Sequence, residues 1–335
     1  MSLRLVVDAG RWRRHLESVR ATTPGLVPVA KGNGYGFGVG RLAAEAAALG
    51  LDTLAVGTYP ELPAAAGFPG TRVVLTPWRP FEDVATDDPR VVHTVSRLDD
   101  LAALAALGHR PRVVVEVLTS MRRHGIPVER LPAAGPLLSG VRVEGWSIHL
   151  PMTGDTVAEA ARLARTARAV APATVWLSHV PAERLSDVGG TVRSRVGTLL
   201  WLGDSGAIDV RAHVLDVHRI EPGGTYGYRQ RSLRRGGTLL VVSGGTAHGI
   251  ALSAPTPATT LRQRGVAAVD GGLQALGRAR SPFLVGGRAT WFAEPPHMQC
   301  SMVLAPSGAP VPSVGDELSV RVRHTTTLVD EVVLA

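Results

Sequence analysis

Over roughly the first 205 residues, eight short apolar runs alternate with helix-like stretches, and this alternation limits the fold more than any other feature. The runs cover residues 26–29, 53–56, 72–75, 91–95, 112–117, 143–148, 174–177 and 192–196. They are mostly β-branched, whereas intervening segments such as 40–49, 98–107 and 156–170 are rich in Ala and Leu. Parallel strands need long crossover connections, usually helices, so the pattern reads as α/β with a parallel sheet. Eight alternations fit a (β/α)8 TIM-like barrel. An open doubly wound sheet shares the pattern, so alternation alone fixes only the α/β class.

From about residue 210 the texture changes. Helical periodicity becomes scarce, and apolar runs at 212–217, 238–242, 301–304 and 317–322 are separated by Gly and Pro turns. This predicts a C-terminal β domain, with 306–315 a surface loop. A length of 335 residues accommodates two domains. The expected division is a barrel over 1–208 and a β domain over 209–335, with residues 1–8 assignable to either. No run of 18 apolar residues predicts a membrane span. The opening MSLRLVVDAGRWRRHLESVR lacks the apolar core of a secretory leader, and a cytoplasmic location is expected. A single cysteine, Cys300, rules out an internal disulfide framework. The formal charge of +8 raises nucleic acid as a partner, but the basic residues are spread along the chain and aromatics are only 4%. Neither a nucleic-acid partner nor a metal site is expected.

Of the 36 Lys and Arg residues, 35 are arginine, and Lys31 is the only lysine. Arginine stays protonated and cannot serve as an amine nucleophile, whereas lysine can form a Schiff base. Lys31 follows the 26–29 strand in Ala30-Lys31-Gly32-Asn33-Gly34-Tyr35-Gly36-Phe37-Gly38. A residue at the C-terminal end of a barrel strand sits at the mouth where barrel active sites are built. The interleaved glycines let backbone pass close to a ligand.

This segment resembles the Lys-Ala-Asp/Asn-Ala-Tyr-Gly-His-Gly pattern of the alanine racemase family, with Phe37 replacing the histidine. The resemblance implies a pyridoxal 5'-phosphate (PLP) cofactor carried on Lys31 as a Schiff base, with Tyr35 hydrogen-bonded to its phosphate. It further implies racemase-like chemistry at Cα of a small amino acid, in a homodimer. Weaker matches follow the same order. Glu116 to Gly125 is similar to the family's Lys-x-Asp-Thr-Gly-Met-x-Arg-x-Gly. That places Arg123 on a substrate-carboxylate arginine, and Glu116 on a lysine that is often carbamylated in the family. Val143 to His149 resembles the strand ending in a histidine beside the pyridine ring. Arg193-Ser194-Arg195-Val196-Gly197-Thr198 resembles Val-Arg-Pro-Gly-Ile. It puts Arg195 at the pyridine nitrogen, with Arg193 the competing assignment, and the amides of Gly197 and Thr198 at the phosphate.

The resemblance weakens in the second domain. Gly245-Thr246-Ala247-His248-Gly249 stands where the family has Gly-Tyr-Ala-Asp-Gly, so Thr246 replaces the tyrosine that serves as the second base. Tyr35, Tyr59, Tyr226 and Tyr228 are the only tyrosines, so none follows residue 228. Replacement acid/base candidates are His248, His297 and Cys300. The family's phosphate serine has no match near Ala182, and its later phosphate-binding tyrosine has none before Ala335. The alternative reading is a PLP-binding homologue without efficient racemase activity, serving other amino-acid chemistry or a partner.

Overall fold

The computed structural model describes residues 2–252, 260, 262, 264–265, 268, 271–272 and 279–335. It forms two compact units, residues 13–203 and residues 1–12 together with 204–335. The chain opens with strand β1 (Leu3–Val7), which belongs to the second unit, and helix α1 (Ala9–Thr22).

The first unit is a parallel eight-stranded barrel. Its elements are β2 (Leu26–Pro28), α2 (Val39–Ala48), β3 (Thr53–Val56), β4 (Thr71–Val74), β5 (Val91–Val95), α3 (Leu98–Ala105), β6 (Arg112–Val117), β7 (Arg142–His149), α4 (Thr156–Val170), β8 (Val175–Ser178), β9 (Val192–Val196) and α5 (Thr198–Leu202). Neighbouring strands pair in the order β2-β9-β8-β7-β6-β5-β4-β3. A parallel bridge between Val29 and Ala55 joins the two ends and closes the ring. Val27, Val29, Ala55, Val73, Val92, Val114 and Trp176 form one buried cluster, which makes the interior a packed core and not a pore. Outside, α2 buries Val39, Leu42, Ala43 and Ala46 at helical spacing. In α4, Ala160, Leu163, Ala164 and Ala167 do the same, and the Asp155 carboxylate caps its start by accepting from the Ala158 amide at 3.0 Å. After β3 and β8 short 3-10 turns, and after β6 a 3-10 run of 13 residues, stand where a regular barrel has α-helices. The run after β6 holds Pro132 and Pro136, which cannot donate to a helical ladder.

The second unit is mostly antiparallel. It contains β10 (Ile208–Ile220), β11 (Thr225–Tyr226), β12 (Arg231–Ser232), β13 (Gly237–Ser243), β14 (Arg280–Val285), β15 (Arg288–Phe292), β16 (Cys300–Leu304), β17 (Glu317–Ser319) and β18 (Glu331–Leu334). The sheet runs β14-β15-β16-β13-β10-β1-β18, with β17 also on β10 and a separate β11-β12 ribbon. The long strand β10 serves two sets of partners. Its first half pairs β1 and β17, a bulge interrupts the register between Val214 and Asp216, and its second half pairs β13. No described helix is long and apolar enough to cross a membrane.

Candidate active site

The C-terminal ends of parallel barrel strands share one face, and β2, β6, β7 and β9 bring Lys31, Glu116, His149 and Arg195 to it. The backbone around Lys31 is held from three sides. The Val29 amide donates to the Val196 carbonyl at 2.9 Å, and the Ala30 amide to the Ala55 carbonyl at 2.8 Å. The Trp201 indole donates to the Val29 carbonyl at 2.8 Å. Beyond Lys31 the chain winds through a single 3-10 turn, Gly34–Gly36, before α2. Gly34 has φ +60°, and a Cβ there would press to 2.6 Å from the Val39 amide nitrogen, so the tight path requires glycine. Tyr35 adopts φ +56°, a strained conformation for a bulky residue, and is buried.

Glu61, which sequence reasoning missed, acts as a clamp. One carboxylate oxygen accepts from the Gly32 amide at 3.0 Å and the other from the Gly57 amide at 2.7 Å. It thereby ties the residue after Lys31 to the end of β3. Its only signal in the sequence is an acid in an ordinary Tyr-Pro-Glu turn.

The electrostatics are dominated by positive charge. The Lys31 amine is held below its ordinary pKa by partial desolvation, then by Arg123 and Arg195, against the raising effect of Glu61. Arg195 is fully desolvated, and its pKa falls to about 10, so it stays protonated near neutrality. Its Nη1 donates to Ser147 Oγ at 2.7 Å and its Nη2 to the Ile148 carbonyl at 3.1 Å, while Nε is buried without a partner. Arg193 points to other partners: it forms an ion pair with Asp52 and lies 5.1 Å over the Trp176 ring. Glu116 is buried, with Oε2 unpartnered; burial raises its pKa, while Arg195, Arg123 and Arg79 oppose the rise. Arg123 is exposed on the loop after β6. Burial and the nearby positive groups push His149 down to about 3, so it is neutral; its ring lies 5.1 Å from that of His179.

Tyr35, Gly197 and Thr198 meet at one point. The Tyr35 hydroxyl hydrogen-bonds the Thr198 side chain, and burial raises its pKa to about 12. A Cβ on Gly197 would collide with that hydroxyl. The arrangement offers a phenol, a threonine hydroxyl and the amides at the start of α5, a set suited to an anion.

In the second unit, His248 is buried and engaged at both ring nitrogens. Nδ1 accepts from the Gly245 amide at 3.2 Å, and Nε2 meets the Asp330 carboxylate at 3.1 Å. His297 is half-buried. Its Nε2 lies 2.7 Å from Glu294 Oε1, its Nδ1 lies 3.9 Å from Cys300 Sγ, and its ring sits 4.9 Å from that of Tyr228. Burial raises the Cys300 thiol pKa, which disfavours a thiolate. Thr246 begins the 3-10 turn that contains His248.

Residues 7–183 match the alanine racemase N-terminal domain family. A curated alanine racemase of Nitratidesulfovibrio vulgaris (strain DSM 19637 / Miyazaki F) is 32% identical over 161 residues, which are 44% of this chain and 42% of that protein. The match thus spans less than half the length of that relative. Among solved structures, alanine racemase from Bartonella henselae with covalently bound pyridoxal phosphate superposes with a TM-score of 0.73 at 17% identity, covering 97% of this chain and 91% of that one. Biosynthetic alanine racemase from Pseudomonas aeruginosa gives 0.71 at 18% identity, covering 96% and 91%.

Proposed function

Because the chain belongs to the alanine racemase family, we propose that it binds PLP at the barrel mouth through Lys31 and acts at Cα of a small amino acid. The observation that carries this reading is the convergence of the only lysine with Arg195, Tyr35, Gly197 and Thr198 at the ends of β2 and β9. The residues present fit the cofactor. A buried guanidinium with an unpartnered Nε needs an acceptor, which a pyridine nitrogen supplies. The Tyr35, Gly197 and Thr198 cradle suits a phosphate. When bound, PLP supplies an electrophilic aldehyde carbon and a conjugated ring that withdraws electrons from Cα.

The protein's own groups then divide the work. Lys31 presents an amine whose pKa its surroundings lower; it would hold the cofactor's aldehyde carbon and would take or return a proton at Cα. Arg195 keeps its proton, and its unpartnered Nε would donate to a pyridine nitrogen, which would leave that nitrogen unprotonated and restrain the charge drawn from Cα. Arg123 binds the substrate carboxylate, and Glu116 offsets the positive charge around it. Neutral His149, at the end of β7, would stand beside the ring. A homodimer would bring the second unit of one protomer to the barrel of the other.

Thr246 favours a second reading, a PLP-binding homologue that racemises poorly. A threonine hydroxyl is too weak an acid to replace a phenol near neutral pH. His297, oriented by Glu294, is the best-disposed substitute, whereas His248 is committed to its turn.

One experiment tests cofactor binding. Purified protein incubated with PLP should absorb in the visible range, and borohydride followed by peptide mapping should fix the cofactor on Lys31. Protein that stays colourless, or label that survives Lys31→Arg, would overturn the proposal. Deuterium exchange at Cα of alanine, measured beside inversion, separates the two readings. Exchange with little inversion marks Lys31 working alone. Inversion that drops by roughly 10²–10⁴ in His297→Ala marks a second base.

A further inference from the structure

The loop that carries Arg123 is fastened in three ways, and one of them comes from outside the strands that build the site. The loop leaves β6 and returns at Ile126. Its legs are paired at the base: the Leu118 amide donates to the Ile126 carbonyl at 3.0 Å, and the Ile126 amide to the Glu116 carbonyl at 2.8 Å. At Gly125 φ is +130°, and a Cβ there would come to 2.3 Å from the Leu118 amide nitrogen, so this close return requires glycine. The first leg is also tied to the end of β7, where Thr119 Oγ1 donates to the His149 carbonyl at 2.8 Å.

The third fastening holds the tip. Thr119 to Arg122 form a turn, closed by the Arg122 amide on the Thr119 carbonyl at 3.0 Å. Ser120 is its second residue, and its amide takes no part in that closure. It donates instead to Glu159 Oε1 at 2.7 Å, while the Ser120 hydroxyl donates to Oε2 at 2.7 Å. One carboxylate therefore grips one residue through both oxygens, in charge-assisted hydrogen bonds. Glu159 stands in the first turn of α4, beside the buried Ala160 and Leu163, so the grip comes from a packed helix. A cavity of about 410 Å³ lies between loop and helix, with Ser120 and Arg122 on one side and Glu159 and Arg162 on the other. Across that gap the two hydrogen bonds, more than packing, hold the turn. Arg122 leaves the turn at φ +53°, a costly conformation that its surroundings must maintain. Arg123 comes next. It forms no ion pair with an acid among the described residues, so its direction depends on the backbone beneath it.

We propose that Glu159 is a positioning residue for Arg123: by holding Ser120, it fixes the turn from which the Arg123 guanidinium reaches the substrate carboxylate. The inference rests on the role proposed above for Arg123. A guanidinium takes a carboxylate in a forked pair of hydrogen bonds only when the two planes align. A released turn points Arg123 in other directions too, and affinity falls with the fraction that remains aligned. Cofactor uptake is spared, because Lys31, Tyr35, Gly197 and Thr198 lie at the ends of β2 and β9.

Calorimetric titration of the PLP-loaded protein with propionate, a carboxylate without an amine, tests the proposal. Arg123→Gln should weaken propionate by about tenfold or more, as loss of a charged hydrogen bond does. Glu159→Ala, which suits a helix, should weaken it by about three- to tenfold, at PLP affinity within about twofold of the parent. Glu159→Gln should recover most of the propionate affinity, because its amide group can still meet the Ser120 amide and hydroxyl. Ser120→Ala keeps the backbone bond and should fall between the parent and Glu159→Ala, which gives a second variant should the first fold poorly. In an Arg123→Gln background, Glu159→Ala should cost nothing further, since it acts through the side chain already removed. Unchanged propionate affinity in Glu159→Ala, beside a loss in Arg123→Gln, would overturn this inference and leave the role of Arg123 standing. So would an equal loss from Glu159→Ala in both backgrounds, or a Glu159→Gln variant as weak as Glu159→Ala. Failure to take up PLP, or an Arg123→Gln variant that binds propionate as the parent does, would instead overturn the reading beneath the inference, and the inference with it.

Discussion

At the scale of single residues, Lys31 feels two charges of its own sign, Arg123 and Arg195, and one opposite charge, Glu61. Partial desolvation, then Arg123 and Arg195, hold its pKa below the ordinary lysine value, against the raising effect of Glu61. Removing one of these cations should move the balance back. Arg123→Gln is therefore expected to raise the Lys31 pKa, and the pH midpoint for the reaction of PLP with the amine should shift upward. A titration followed by absorbance reads this directly, and an unchanged or lowered midpoint would show that Arg123 does not act on Lys31. Lys31 and Tyr35 were legible because a lysine and an aromatic among closely spaced glycines have few structural uses. Arg195 was legible only as one of two arginines. What separates them in space is their surroundings: Arg193 meets Asp52 and Trp176, whereas Arg195 is buried with a free Nε. No local pattern encodes that difference, because the partners come from other strands.

At the scale of elements, the barrel strands were readable because each is a short, β-branched run bounded by a helix or a turn. Observed and expected limits differ by a residue or so: β7 extends to Arg142–His149, and β4 begins at Thr71. The second unit was harder to read. Its strands β1, β14, β15 and β18 are short, and their pairing is long-range, as in the parallel contact of β1 with β18. A five-residue strand such as LRLVV gains its stability from partners that no local window contains. The clamp at Glu61 is another such long-range device, since it joins the loop after β2 to the end of β3. Glu61→Ala removes the acceptor for two backbone amides. The expected cost is about 1–3 kcal/mol, towards the lower end because Gly32 is solvent-exposed. Hydrogen exchange should accelerate at Gly32 and Gly57 and stay unchanged in α4. Equal protection at both glycines would show that the carboxylate does not hold the loop.

At the scale of the whole molecule, two neutral histidines, His93 buried and His149 half-buried, make the barrel sensitive to acid. His93 lies in the middle of β5, where its Nδ1 meets the Tyr59 hydroxyl at 2.8 Å and its Nε2 is buried without a partner. Burial lowers its pKa from 6.5 to about 4, and His149 falls to about 3. In the unfolded chain both histidines take up a proton near pH 6.5; in the folded chain they do so only at the lower values. Between those limits the unfolded state binds more protons, so stability rises with pH there. The contribution is complete above about pH 6.5 and is progressively lost as the pH falls towards 4. Asp52 and Glu317, whose pKa values are lowered in the fold, add to acid sensitivity at still lower pH. The histidine share is isolated by comparison with a variant. His93→Gln keeps a side-chain acceptor for Tyr59 and cannot be charged. Its melting temperature should sit below that of the parent at pH 7.5, because a packed ring is lost, but it should decline less steeply from pH 6.5 to pH 4.5. Parallel melting curves across that window would show that His93 is not the group whose protonation loosens the barrel.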